Sequence, residues 1–535
     1  MKTKTKNRFL SRVPVLAVLL LLAVAGTGVY RGIRAMWVFY DQNIPLVGAT
    51  GLFLVMLANI ALLTALLGLR LWQVKRGDKP FYETKAFLAL AIVGCVMTVL
   101  TVLFACAIFY INGHETNQVL FEYLKRDYPL TLLFLAAVFV LMVLPRFPKR
   151  AKIIVSVVLA VVLAGGLLWT QFPVKGYRIV SDPVVFDTGS GYSVVFATDD
   201  VGTGYVRYTY NGTEYTVKQQ IEGRLVGDRL IHAVAVPYEH LNGNTYTVGS
   251  TRVIEEFSYG SRLGKTVESD PYTLKAPSGD MQSWLTVSDW HSYLDSAYTA
   301  VSYIGDYDGV LLMGDPASGM DFETQAVENI VKFAGTLTKG EKPAVYVRGN
   351  HDTRGAFADA LPGYLGYDTL YAVVKSGEYS FVALSSGEDK NDDHVEYGGM
   401  DDYKAFRARQ LDWLKTVDTA GDRVIVLTHA WQVAEPEAEK DVSKAYWDEF
   451  DRLGARLVVC GHTHRCRILG YAGDEITNET EKAYHEAYPD IVTYMDGGHK
   501  GEAYIASKLV LSPEGFRIIA VDWKGEQLLD ENFTW

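Results

Sequence analysis

The order of hydrophobic and polar positions changes twice along this chain. Five apolar stretches come first, near residues 13–30, 44–69, 86–111, 128–144 and 153–172, and none has an acidic or basic residue inside it. Each is close to the ~20 residues that cross a bilayer as a helix, so residues 1–172 are read as a membrane domain with five transmembrane helices. Tyr30, Trp72, Tyr110, Tyr128 and Trp169 fall near the ends of these stretches, where amphipathic rings settle at the membrane interface. Asn59, inside the second stretch, is expected to hydrogen-bond a neighbouring helix, since an intramembrane amide needs a partner.

Beyond residue 172 the pattern becomes short alternating runs at 192–198, 204–210, 214–218, 230–237 and 245–249, broken by turn residues. A period of two marks strands, and Asn211-Gly212 between two runs is a strong hairpin signal. Residues 173–280 are therefore expected to form a β-sandwich that acts as a spacer. The run Leu241-Asn242-Gly243-Asn244-Thr245-Tyr246 resembles the turn and strand found late in fibronectin-type-III-like domains. From Trp284 onward, apolar strand runs alternate with helical patterns, which marks residues 281–535 as an α/β domain.

Charge follows the same division. Residues 1–172 carry 18 Lys/Arg against 6 Asp/Glu, leaving 33 against 56 for the remainder, a net −23. Basic residues in the apolar part are uneven. The N-terminus and the second and fourth loops hold 14 of them, including Lys2, Arg70, Lys75, Arg146 and Lys152, whereas the first and third loops hold only Arg31, Arg34, Lys125 and Arg126. The positive-inside rule then places the N-terminus inside and everything after Phe172 outside, in a multi-pass protein of the cell membrane. Ala23-Val24-Ala25 is also compatible with signal-peptide cleavage, which would leave four spans and the same external part. Four cysteines say little about redox compartment, and no disulfide is expected between Cys460 and Cys466.

The candidate chemistry lies in the last segment. Runs at 284–287, 310–313, 344–347, 424–427 and 457–460 lead into Asp289-Trp290-His291, Gly314-Asp315, Gly349-Asn350-His351-Asp352, Thr428-His429 and Gly461-His462-Thr463-His464. Ligands of open α/β sheets bind beyond the carboxyl ends of the strands, so five separate segments can converge on one site. Carboxylate and imidazole ligands with little thiolate suit Mn, Fe or Zn rather than a structural zinc cage.

These blocks, in this order, resemble the calcineurin-like metallophosphoesterase superfamily over about residues 285–523. The resemblance implies an α/β domain with two packed sheets flanked by helices, and two divalent or trivalent metal ions. It implies one metal on Asp289, His291 and His464, a second on Asn350, His429 and His462, Asp315 as the bridge, and His351 beside them as proton donor. Asp352 is expected to orient His351 or cap the following turn and Arg354 to contact phosphate, with a plain surface ion pair the alternative for either. Purple acid phosphatases carry a tyrosine three residues after the bridging aspartate, whereas this chain has Ser318. They also lack the Asp-x-His opening, so the ferric version of the site is not expected. Trp431, after the lone His429, is expected to narrow the cleft, and His499 is a candidate for lining it. His232, His240, His394 and His485 are expected at the surface.

The resulting expectation is a metal-dependent hydrolase of phosphate mono- or diesters at the outer face of a membrane. The alternative is a catalytically inactive sensor or binding protein on the same fold, which a missing ligand would mark. An acidic outer part argues against nucleic acid as a partner, since nucleic-acid binding leans on basic surface. Topology is directly testable. A Gly212→Cys chain should react with a membrane-impermeant thiol reagent on intact cells above the background of the unaltered chain, and Gly77→Cys should not. The reverse labelling pattern would overturn the orientation.

Overall fold

A computed structural model describes residues 148–171, 176–257, 260–500 and 503–535. Residues 177–535 form one compact unit, distinct from residues 1–176. In the first unit, helix α1 (Lys149–Gln171) falls on the fifth expected span. Among the described residues no helix is long and apolar enough to cross a membrane. The other four expected spans lie outside the described residues.

The second unit begins with β1 (Val184–Asp187), β2 (Tyr192–Tyr210), β3 (Thr213–Lys218), β4 (Arg229–Val236), β5 (Thr245–Phe257) and β6 (Gly260–Glu268). Asn211 and Gly212 turn β2 into β3 with φ of 49° and 76°, the two left-handed residues that a tight hairpin requires. The runs expected separately at 192–198 and 204–210 are one long strand. Its first half pairs with β4 and its second with β5, and the register shifts between Ala197 and Gly202. His232 is fully buried instead of exposed, and bonds Thr198 and Ser250. Gly204 makes room for it, because a Cβ there would collide with the His232 ring.

The α/β part follows as β7 (Gln282–Val287), α2 (Leu294–Ser302), β8 (Gly309–Leu312) and α3, which runs from Glu323–Ala326 through a π turn, Val327–Lys332, into Phe333–Thr338. Next come β9 (Pro343–Tyr346), β10 (Ala372–Ser376), β11 (Tyr379–Leu384), α4 (Tyr403–Leu414), β12 (Arg423–Thr428), α5 (Lys440–Arg452), β13 (Ala455–Cys460) and β14 (Arg467–Ile468). The last are β15 (Val492–Met495), β16 (Gly498–Lys500), β17 (Ala503–Leu511), β18 (Gly515–Asp522) and β19 (Gln527–Thr534). They build two sheets. The larger follows the path β19-β18-β17-β7-β8-β9-β1-β2-β5-β6, and the smaller runs β10-β11-β12-β13-β15-β14.

Period-two alternation decides which residue enters which layer. Val310 and Leu312 of β8 pack with Ala297 and Ala300 of α2 and Phe333 of α3, whereas Leu311 and Met313 face the other way. That second cluster is shared with Phe381 of β11, Ile425 and Leu427 of β12 and Val459 of β13, so it lies between the sheets. Val382, Val424 and Val426 point outward instead, against Leu411 of α4 and Tyr446, Trp447 and Phe450 of α5. The layers are therefore helix, sheet, sheet, helix. Each buried Val, Leu or Phe contributes about 1.5–3 kcal/mol, and a one-residue slip would turn a whole strand's set to the wrong face.

The β-rich segment continues the larger sheet. β1 pairs in parallel with β9, Val185 opposite Pro343 and Phe186 opposite Ala344, so backbone hydrogen bonds cross the expected boundary at residues 280–281. The seam has further ties. Tyr246 Oη donates to the Gly340 carbonyl at 2.7 Å, and Glu323 Oε1 accepts from the N–H groups of Leu230 and Ile231 at 2.6 and 2.8 Å. Glu323→Ala should leave both strand N–H groups without their acceptor and cost about 1–3 kcal/mol, read as a lowered melting temperature. Glu323→Gln keeps an acceptor and should lose less. Burial pushes the Glu323 carboxyl up to about 7 from 4.5. Stability from its protonation is complete below 4.5 and is lost as pH rises through about 7. Glu323→Gln should remove that slope, and a variant that melts like the unaltered chain at every pH would show that the seam does not depend on Glu323.

Candidate metal centre

Strand ends from both sheets meet at one point. Asp289 and His291 follow β7, Asp315 follows β8, Asn350 and His351 follow β9, His429 follows β12, and His462 and His464 follow β13. Reaching it strains the backbone. Asp289, His291, Ser292, Asp315, His462 and His464 all have positive φ, between 39° and 66°. Each such non-glycine residue costs about 1–3 kcal/mol, which packing elsewhere must offset. The turns also need bare backbone. A Cβ on Gly349 would strike the Asp315 carboxylate, and one on Gly461 the Asp289 carboxylate.

Both carboxylates are buried, and each divides its oxygens in the same way. Asp289 Oδ2 accepts from the His462 N–H at 2.8 Å, and Asp315 Oδ1 from the His351 N–H at 2.9 Å. The remaining oxygens turn to the centre. Asp289 Oδ1 is buried without a hydrogen bond and lies 3.4 Å from His464 Nε2, 3.9 Å from His429 Nε2 and 4.0 Å from His291 Nε2. Asp315 Oδ2 lies 3.2 Å from His429 Nε2, 3.7 Å from His291 Nε2 and 4.0 Å from His351 Nε2.

Hydrogen bonds at the far side of each ring set which nitrogen faces inward. His429 Nδ1 sits 2.6 Å from the Met313 carbonyl, His351 Nδ1 3.1 Å from the Ser318 carbonyl, and His464 Nδ1 against the His499 carbonyl. A carbonyl only accepts, so those Nδ1 atoms carry protons and the Nε2 atoms face the centre. His462 is reversed. Its Nε2 meets Glu435 Oε2 at 3.0 Å, which leaves Nδ1 toward Asn350 Oδ1 at 3.1 Å.

The donor set fits cations. The inner tip of the Asn350 amide lies 3.3 Å from both His429 Nε2 and Asp315 Oδ2 and 3.1 Å from His462 Nδ1. With oxygen at that tip, acceptor faces acceptor, which is repulsive unless a positive ion lies among them; without the ion, the amide nitrogen belongs there. Electrostatics agree. Burial disfavours a charged His429, but Asp315 and Asp289 outweigh it and push the imidazole up to about 10, while burial lowers His291 to about 4. The two carboxylates thus draw positive charge to His429, whereas burial outweighs them at His291. Three groups have ligand atoms within 4.8 Å of one another: Asp289, His291 and His464; His291, Asp315 and His351; Asp315, His429 and His462. Oxygen and imidazole donors without thiolate suit Mn, Fe or Zn. Cys460, buried nearby, directs its sulfur to the Tyr494 carbonyl, and both described cysteines are free thiols.

Other expected residues are placed differently. Asp352 does not orient His351: its Oδ2 accepts from the Gly349 N–H at 2.6 Å and the Asp315 N–H at 3.3 Å, so it braces the loops beneath the centre. Trp431 does not narrow a cleft. It is buried against Trp447 and Tyr484 on the outer face of the smaller sheet. Arg354 is clamped by Glu388 at 2.7 and 2.8 Å and by Asp389 at 3.2 Å, with Nη1 3.4 Å from both ring nitrogens of His351. His499 does reach the site, its ring 5.8 Å from that of His291 and 5.6 Å from that of His464. Glu435, Glu388 and Tyr293 were not foreseen: the two glutamates stand in loops away from the strand-end blocks, and Tyr293 follows the opening block without being a metal-ligand type.

Residues 285–466 match the family model described as calcineurin-like phosphoesterase. No curated protein matches the chain. Similar solved structures include a conserved uncharacterized protein from Streptococcus pneumoniae TIGR4, described as a predicted phosphoesterase (15% identity, 48% of this chain and 100% of that one, TM-score 0.24). A metallophosphoesterase from Sphaerobacter thermophilus is 12% identical over 48% of this chain and 89% of its own, with a TM-score of 0.22. A cold-active protein-tyrosine phosphatase of a psychrophilic Shewanella is 13% identical over 67% and 99%, with a TM-score of 0.25. All five strand-end blocks fall within the matched residues, and residues 285–466 are a calcineurin-like phosphoesterase domain.

Proposed function

We propose that this chain hydrolyses a phosphate mono- or diester at a two-metal centre on the outer face of a membrane. One observation carries the chemistry: two buried carboxylate oxygens, Asp289 Oδ1 and Asp315 Oδ2, face four imidazoles, those of His291, His351, His429 and His464, across 3.2–4.0 Å. In this reading Asp289, His291 and His464 would hold one cation, Asn350, His429 and His462 would hold the other, and Asp315 would serve both. When bound, such a pair supplies charge stabilisation for the phosphoryl group and a nucleophile at neutral pH. Glu435, through His462 Nε2, and the Met313 carbonyl, through His429 Nδ1, orient two of the ligand rings. The membrane placement rests on the five apolar stretches and the uneven basic loops of residues 1–172.

His351 has the proton-transfer role. Its Nδ1–H is spent on the Ser318 carbonyl, and its side chain remains 28% exposed, unlike buried His429. Nε2, the nitrogen left facing the centre, is therefore the atom through which His351 would pass a proton to the leaving oxygen. A non-catalytic binding protein would be marked by a lost ligand, and every expected position is filled.

Two substitutions separate ligand from acid. Asp315→Asn removes the charge that both cations share, so metal content and hydrolysis should fall together in the full chain. His351→Ala should keep its metals and lose about 10²–10⁴ in rate. The loss should be smaller for a nitrophenyl ester, whose leaving group needs little protonation, than for an alkyl phosphate. Loss of metal from His351→Ala, or equal slowing of both esters, would make His351 a ligand or a support instead.

A further inference from the structure

We infer that Tyr293 is a stacking platform beside the metal centre, and that the preferred substrate is a phosphate ester carrying a planar aromatic ring, as a nucleotide does. This rests on the phosphoesterase reading above and names its substrate class. The platform is built by the opening block itself. His291 and Ser292, with φ of 39° and 66°, swing the chain around so that Tyr293 stands at the start of α2, its N–H donating to the Trp290 carbonyl at 2.6 Å. The Tyr293 ring lies against the His499 ring, centroids 3.9 Å apart and planes inclined by 22°.

His499 is held by the ligand residues. Its N–H donates to the Asp289 carbonyl at 3.2 Å and its carbonyl accepts from His464 Nδ1. The ring behind Tyr293 is therefore tied to two metal-ligand candidates and packs beside the rings of His291 and His464. Yet Tyr293 itself is 44% exposed. A large ring braced on one face and open to water is pre-positioned, with little conformational entropy left to lose when a second ring covers it. Base–aromatic stacking gains from such a surface and needs no added charge. Charge offers little alternative at this rim, because Arg354, the guanidinium that touches His351, is engaged by Glu388 and Asp389. The acidic balance after residue 172 also disfavours long polyanions.

The test compares kcat/KM of the metal-loaded full chain for a purine 5′-nucleotide and for ribose 5-phosphate, which lacks the base. The unaltered chain should prefer the nucleotide. Tyr293→Ala should lower the nucleotide-to-ribose-phosphate ratio by about 5- to 150-fold, the worth of one stacked base, and Tyr293→Phe should retain most of it. The same dependence for phenyl over methyl phosphate would extend the platform to aryl rings in general; dependence for the nucleotide alone would assign it to the base. An unchanged ratio, or equal loss on both esters, would overturn the inference and leave Tyr293 as a support for His499. Should neither these monoesters nor a bis-aryl phosphate diester be hydrolysed, the phosphoesterase reading fails by itself. Calorimetric affinities of the metal-loaded chain for the same two ligands, with and without Tyr293→Ala, then decide the platform by the same ratio.

Discussion

Two buried carboxylates, Asp289 and Asp315, point toward a common centre, and burying paired negative charges is costly unless something positive answers them. Each spends one oxygen on a backbone N–H from another strand end, His462 for Asp289 and His351 for Asp315. The carboxylates are thus the point at which β7, β8, β9 and β13 are tied together. Their inner oxygens have imidazole nitrogens and an asparagine amide as neighbours. That is why His429 is drawn toward its charged form against the effect of burial, and why the Asn350 amide has a sensible orientation only once the presence or absence of a cation is specified.

The sheets make this arrangement affordable. Apolar alternation locks β8, β11 and β12 between two different cores, so their carboxyl ends cannot slide without exposing a strand's buried side chains. Strained turns at Asp289, His291, Asp315, His462 and His464 persist because the strands on either side are fixed. Carbonyl groups complete the positioning. Met313, Ser318 and His499 each receive a ring Nδ1, which turns the opposite nitrogen inward. The rigidity of the centre comes from main chain as much as from side chains.

The β-rich segment is part of the same framework. Because β1 lies beside β9, the strand that leads into Asn350 and His351 is flanked on one side by β8 and on the other by residues 184–187. Glu323 and Tyr246 add side-chain ties across that seam. The β1–β9 pair lies inside the larger sheet, so the segment bears on how firmly the β9 loop is held.

Much of this was legible in the order of residues. Strand runs leading to Asp289, Asp315, Asn350, His429 and His462 could be read because a short apolar run followed by a polar ligand is a local pattern, and local patterns survive in one dimension. The Asn211-Gly212 turn was equally plain, since only a few residue types accept two left-handed positions. What escaped depends on which distant segments share space. Pairing of β1 with β9 joins residues about 160 apart in sequence, a choice set by strand packing and not by any nearby residue. Burial of His232 depends on the missing side chain of Gly204, retreat of Trp431 into the core on Trp447 and Tyr484, and the bracing by Asp352 on amides of Gly349 and Asp315. The sequence alone determined which residue types stand at the strand ends, because backbone periodicity and turn chemistry are local. Tertiary structure alone decided which nitrogen of each histidine faces inward, where Asp352 and Trp431 point, and which ring backs Tyr293, because each of these rests on a neighbour supplied by a different part of the chain.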